Sequence, residues 1–225
     1  MLIHPLIAAL AAGLALWLTI RLIQASQGRQ ATRAAYFSCL APLFDEAEIR
    51  LQPTGFPRMT GRLGDLAFDL QALPDSLTFR KLPALWVMVS LPLPIPVAAT
   101  LDVMARPSGQ ESFSHFASLA QSLPQSLFLP EGVAVRTDDA SQVPPEEVLA
   151  AHADLFDDPD VKELLISPKG VRIVILAEEA DRGRFLIYRD AEVGLDPLSP
   201  ARIAPLLERL RSLRDNLNRL SKEAP

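Results

Sequence analysis

Hydrophobic positions are distributed in three distinct textures along the chain. Residues 1–20 (MLIHPLIAALAAGLALWLTI) form an apolar run with no Asp, Glu, Lys or Arg, and the first formal charge is Arg21. Twenty residues of helix rise about 30 Å, the thickness of the hydrocarbon core of a bilayer, so the run predicts a transmembrane helix. A cleaved secretory signal normally opens with Lys or Arg and ends in a small-x-small site. Here neither cation leads the run, and Gln24-Ala25-Ser26 is a poor cleavage context. The expectation is an uncleaved anchor over residues 1–23, with Trp17 near one interface and Ala9 and Gly13 on a face suited to helix–helix packing in lipid. Residues 24–45 then read as a juxtamembrane connector and short helix, with Tyr36, Phe37, Leu40, Leu43 and Phe44 on one face and Pro42 near its end. Cys39 lies in that helix and is expected to be a small buried or half-buried hydrophobe.

From residue 46 the texture becomes that of strands. Leu66, Phe68 and Leu70 alternate with Ala67, Asp69 and Gln71, and residues 85–91 (LWVMVSL) are apolar on both faces, as in a central strand. Residues 97–104 alternate again after Pro92-Leu93-Pro94-Ile95-Pro96, which lacks three ladder donors and reads as a stiff connector. Further on, the pattern predicts a short helix at 114–123 and a strand at 132–136. A helix opens at Pro144-Pro145-Glu146-Glu147, and Asp157-Asp158-Pro159-Asp160 opens another over 161–165. Residues 170–177 and 184–189 read as an antiparallel pair joined by a charged turn. Ten side chains are expected in the sheet core: Leu85, Val87, Val89, Leu101, Val103, Val171, Ile173, Ile175, Phe185 and Ile187.

The third texture begins at Ser199-Pro200. Ile203, Leu206, Leu210, Leu213, Leu217 and Leu220 recur at spacings of 3 and 4, the stripe of a long amphipathic helix reaching about Lys222. Packing on the domain's own sheet, pairing with a partner helix and lying on anionic lipid are its three readings, in that order. Together these patterns predict an α+β fold: a transmembrane helix, then one mainly antiparallel domain over residues 46–225 that ends in the amphipathic helix.

Charge and chemistry narrow the function more by exclusion than by assignment. The net charge of -5 argues against nucleic acid as a partner. A single cysteine excludes a disulfide framework. No phosphate-binding glycine loop, nucleophile elbow or paired metal motif occurs, so no catalytic, cofactor-binding or metal-ligating residue is assigned and no cofactor is expected. His115 and His152 read as surface or boundary histidines. Asp157, Asp158 and Asp160, like Asp138-Asp139, read as caps and turns rather than ligands. Lys162, Glu163, Ser167, Lys169 and Arg172 surround a tight Ser-Pro-Lys-Gly turn, but a Ser/Lys dyad there lacks an oxyanion motif.

The function expected is therefore a membrane-anchored, non-catalytic interaction or accessory domain serving a membrane complex. A membrane-tethered hydrolase-like enzyme with an unfamiliar site and a small-ligand sensor are the alternatives. Lipid contact is expected through residues 1–23. Protein contact or self-association is expected through the Ala9/Gly13 face or the Leu206, Leu210, Leu213 and Leu217 seam. Arg21, Arg29 and Arg33 follow the apolar run, and the positive-inside rule then places the domain in the cytoplasm.

Overall fold

The computed structural model describes the backbone of residues 3–75, 82–188 and 192–223, with side chains described for 10–75, 82–187 and 192–222. A 32-residue helix, α1 (Ile3–Ala34), leads into a 3-10 turn at Ser38–Leu43. Among the described residues, nine strands follow: β1 (Glu46–Leu51), β2 (Pro57–Leu63), β3 (Leu66–Asp75), β4 (Ala84–Leu91), β5 (Leu101–Ala105), β6 (Gln121–Ser122), β7 (Val133–Thr137), β8 (Val161–Ser167) and β9 (Gly170–Glu179). They form one sheet, ordered β1-β2-β3-β4-β9-β8-β5-β7-β6, in which every pairing is antiparallel. Three helices accompany it: α2 (Glu146–Ala150), α3 (Arg182–Tyr188) and α4 (Pro200–Glu223). The α+β expectation and the long carboxyl-terminal helix hold. Among the described residues no helix is long and apolar enough to cross a membrane; the first nine side chains of the apolar run, Ala9 among them, lie outside those described.

Alternation along the strands gives the sheet two unlike faces. Leu70, Val87, Val89, Val103, Leu164, Ile173 and Ile175 point to one side and are buried beneath α4 and the Ser38–Leu43 turn. The leucine seam of α4 supplies the other half of this core: Ile203, Leu206, Leu210, Leu213 and Leu217 are all buried. Of the three readings for that helix, packing on its own sheet is the one observed, so the seam is enclosed within the chain. Tyr36 and Phe37 join the same core, and the Tyr36 carbonyl accepts from the Leu198 N–H at 2.9 Å, tying the end of α1 to the start of α4.

The opposite face carries Trp86, Met88, Val174 and Met104, covered in part by the segment that follows β5, through Phe113 and Phe116. Trp86 and Phe113 meet with ring centroids 5.0 Å apart.

The proline-rich segment is the connector expected, but its reach is longer than a hairpin. β4 pairs with β3 and β9, and β5 pairs with β8 and β7, so residues 92–100 step over the β8–β9 hairpin. The strand after that connector is also shorter than expected, beginning at Leu101 rather than at residue 97. Gly170, at the hairpin turn, has φ 137°, and a Cβ there would overlap the Leu91 carbonyl and crowd Pro92.

Two elements differ from expectation for identifiable reasons. Residues 161–167 are strand β8, not a helix. The Asp158 carboxylate accepts the Asp160 N–H at 2.9 Å, a local turn that launches a strand instead of a helical first turn. β8 is therefore the hairpin partner of β9. Residues 182–188 are helix α3, not a strand: Asp181 accepts the Arg184 N–H at 2.7 Å, an N-cap that overrides the β propensity of Phe185, Leu186 and Ile187. Eight of the ten expected core residues are buried in the sheet. Phe185 is half-buried in α3 and Ile187 is 73% exposed. Arg189 lies outside the described residues.

The remaining short elements are smaller than expected. The helix expected at 114–123 is a 3-10 turn over Phe116–Ser118. The helix after Pro145 is five residues of α2, followed by a 3-10 turn at Ala153–Asp157.

Candidate functional site

The polar groups buried on the second face of the sheet form two adjoining clusters. Asp102 on β5 and Arg172 on β9 flank Leu165 of β8 in register, and Glu163 sits opposite Met104 and Val174. Glu163 is 0% exposed and Asp102 1%. Arg172 binds Glu163 Oε2 through Nε at 3.2 Å and Nη2 at 2.9 Å, and the Ser114 hydroxyl donates to Asp102 Oδ2 at 3.3 Å. One cation thus faces two carboxyls. Burial, and next the charge of Glu163, pushes the Asp102 carboxyl up to about 8, against the opposing pull of Arg172 and Ser114. Asp102 Oδ1 and Glu163 Oε1 are buried and receive no donor from elsewhere in the protein. A proton held by Asp102 supplies the missing donor and leaves the cluster neutral.

The second cluster is organised by Lys162, whose ammonium donates to the Ala105 carbonyl at 2.7 Å and the Arg106 carbonyl at 2.7 Å. It also pairs with Glu111 at 3.2 Å, both side chains being buried. Burial raises the Glu111 carboxyl, but hydrogen bonds from the Ser108 N–H and hydroxyl and the charge of Lys162 outweigh it and hold it at about 2. This pin fixes a bend in which Arg106 takes φ 47°, and the bend turns the chain back across the sheet to bring Phe113 onto Trp86. A cleft of about 260 Å³ opens beside it, lined by Asp75, Trp86, Arg106, Glu111, Lys162 and Glu179. The Arg106 guanidinium is itself engaged, donating to the Pro159 carbonyl at 2.6 Å.

No protein-family model and no curated protein matches the chain.

Several residues singled out from the sequence are placed apart. The Ser167 hydroxyl donates to the Gly170 carbonyl at 3.1 Å and accepts the Lys169 N–H at 3.3 Å, so it belongs to the turn and not to a Ser/Lys dyad. Asp139 accepts from Ser141 and Asp138 from the Thr100 N–H, turn roles as expected, whereas Asp160, expected to help cap a helix, pairs with Arg202 at 2.7 Å. Among the described residues no group of three or more His, Cys, Asp and Glu side chains could hold a metal. His115 is exposed, and Cys39, expected to be at least half-buried, is exposed as well.

His152 corrects the expectation most. It is 3% exposed, with Nε2 3.1 Å from the Asn216 amide, and burial followed by the nearby Arg209 charge lowers its pKa. A neutral ring accepting from Asn216 fits that setting, and it joins the Ala153–Asp157 turn to α4. Asp102 was the residue hidden best, a lone acid in the run LDVM. The signal available was its position on the apolar-alternating strand itself, where an acid needs a buried partner.

Proposed function

We propose that the chain is a membrane-anchored, non-catalytic interaction domain, held at the bilayer through residues 1–23 with its folded part on the cytoplasmic side. The observation that carries this reading is the surface of α1: Leu10, Leu14, Leu16, Trp17, Leu18, Ile20, Leu22 and Ile23 are all exposed, each by 45% or more. A large apolar side chain gains about 1.5–3 kcal/mol on leaving water, so a helix with this belt favours lipid or another apolar helix over solvent. Arg21 stacks on Trp17 at 5.5 Å, the pairing of a cation and an amphipathic ring that suits a membrane boundary. Arg29 and Arg33 extend the positive flank. The interaction role is supported by the way the buried polar groups are used: Lys162, Glu111, Arg172 and Glu163 are bound to one another, bracing the sheet.

The test is extraction of membranes from cells expressing the full chain. The protein is expected to stay with the bilayer in alkaline carbonate, to keep residue 1 at its terminus, and to resist protease in spheroplasts. Release of the full-length protein, a terminus near residue 25, or digestion of the domain from outside would each overturn it. A second reading, a sensor for a small ligand, is favoured by the 260 Å³ cleft beside Trp86. A saturable change in Trp86 emission on titrating the full chain with candidate metabolites would support it.

A further inference from the structure

The first strand is the least protected part of the sheet. β1 lies at one end of the strand order, and every residue of Glu46–Leu51 is exposed, including Ile49 at 39% and Leu51 at 59%. Its hydrogen-bonding phase is fixed by the turn into β2. The Gln52 N–H donates to the Phe56 carbonyl at 2.9 Å, and the register runs back from Leu51↔Pro57 to Glu46↔Arg62. Alternation then directs the backbone groups of Glu46, Glu48 and Arg50 toward β2, and those of Ala47, Ile49 and Leu51 outward to the free edge. Pro57 opposite Leu51 fits this phase, since it has no N–H to offer.

The side chains are sorted as well. Ala47, Ile49 and Leu51 lie opposite Gly61, Met59 and Pro57 on the core side, where Met59 is buried; Glu46, Glu48 and Arg50 lie on the other side.

We propose that β1 pairs antiparallel with β1 of a second copy of this chain, about a two-fold axis at Ile49, joining two sheets into one. Three centres pair at least two of these outward residues with their counterparts, and charge selects among them. Centring on Glu48 sets two Glu48 side chains opposite each other, and centring on Arg50 sets two arginines opposite. Both are destabilising cross-strand pairs. Centring on Ile49 sets Glu48 opposite Arg50 of the second copy, twice, Glu46 opposite Gln52, Ala47 opposite Leu51, and Ile49 opposite itself. Within one chain the Arg50 Nε already reaches Glu48 Oε1 at 2.8 Å, so the heads have the length to form a square of four charges. The outward N–H and C=O groups of Ala47, Ile49 and Leu51 then exchange six hydrogen bonds across the seam. Charges on a free edge usually discourage such pairing; here two acids are followed by one base, so that one register sets unlike charges opposite each other. Ile49 and Leu51 of both copies add to the apolar side.

A two-fold axis normal to the sheet keeps both copies' α4 and Tyr36 on one face, so both α1 helices depart from the same side. The proposal does not rest on the membrane reading, because the seam is built from residues 46–52 alone.

The experiment is disulfide trapping in the full chain, in whichever cell fraction it occupies, with the exposed native cysteine removed by Cys39→Ser. Facing residues of a hydrogen-bonded antiparallel pair have Cα atoms about 5.5 Å apart, within disulfide range. Ile49→Cys is expected to give a covalent dimer under mild oxidation, and Thr60→Cys, exposed one strand further in, is expected to give none. Adding Glu48→Arg to Ile49→Cys should lower the rate of trapping roughly tenfold, and adding Arg50→Glu as well should restore it. Unchanged thermal melts establish that each variant is folded. No dimer from folded Ile49→Cys, equal trapping at Thr60→Cys, or indifference to both charge changes would each overturn the proposal. None of these results depends on whether carbonate releases the protein.

Discussion

Asp102 and Glu163, on adjacent strands in the buried half of the second sheet face, share a single cation: Arg172 is bonded to Glu163 at 2.9 and 3.2 Å and reaches Asp102 through its field. With that cation the two carboxyls make a neutral group only while Asp102 keeps its proton.

That proton makes stability depend on pH in a definite direction. The Asp102 carboxyl titrates near 8 in the folded protein against an ordinary value of 3.8, so the folded state holds more protons between those limits. Its contribution is fully present below about pH 3.8 and is lost as pH rises toward 8, with a slope of up to about 1.4 kcal/mol per pH unit. Asp102→Asn keeps the shape and cannot ionise. Denaturant melts from pH 5 to 8 are expected to show the variant gaining on the parent chain as pH rises; parallel curves would mean that Asp102 is already ionised at neutral pH.

The Lys162–Glu111 pin predicts a local change. Lys162→Met takes the cation from the buried Glu111 carboxylate, which keeps only its Ser108 donors, and a donor from the Ala105 and Arg106 carbonyls, a loss of about 3 kcal/mol. Because the pin holds the bend that delivers Phe113 to Trp86, the emission of Trp86, read in a Trp17→Phe background, should shift to the red. An unshifted spectrum would show that the bend stands without the lysine.

The α4 seam should behave as core. Leu210→Ala, at a fully buried position, is expected to lower stability by about 2–5 kcal/mol. Ending the chain after Asp196 removes the whole seam and should abolish the cooperative melt. A shortened chain that melts as the full one does would place the seam outside the folding unit.

Two glycines separate backbone strain from collision. Gly64 has φ 61° with open space around its missing Cβ, and Gly64→Ala should cost about 1–2 kcal/mol. Gly170 combines φ 137° with the Leu91 carbonyl in the path of a Cβ, and Gly170→Ala should cost more. Equal losses in urea melts would show that the connector yields to the added methyl.

Elements whose pattern is set by burial were legible in the sequence. β3 and α4 carry a clean apolar period and β4 and β9 a nearly continuous apolar run, and each is found where that pattern put it, because a single core demands it. β8 was obscured by Asp157-Asp158-Pro159-Asp160, which read as the start of a helix, and by the two charged residues Lys162 and Glu163 that the strand buries. Their partners, Glu111 and Arg172, come from other segments, and only the tertiary fold brings them together. His152 and Asp102 were misjudged or missed for the same reason: the Asn216 and Ser114 contacts that let a polar group be buried lie 64 and 12 positions away. α3 shows the reverse, a short-range cap defeating a β-rich composition.

The connector that steps over the β8–β9 hairpin also fixes an order of events during synthesis. β4 finds its second neighbour only in β9, where Leu91 meets Val171. Ribosomes add about 5–20 residues per second, so the eighty positions between those residues leave one flank of the growing β1–β4 meander bare for about 4–16 s. That flank, Ala84–Leu91, is among the most apolar stretches outside α1. The nascent chain therefore presents a sticky, half-built sheet until its last third emerges, and it is in that interval, before the finished fold exists, that a chaperone or a neighbouring nascent chain has the most to bind.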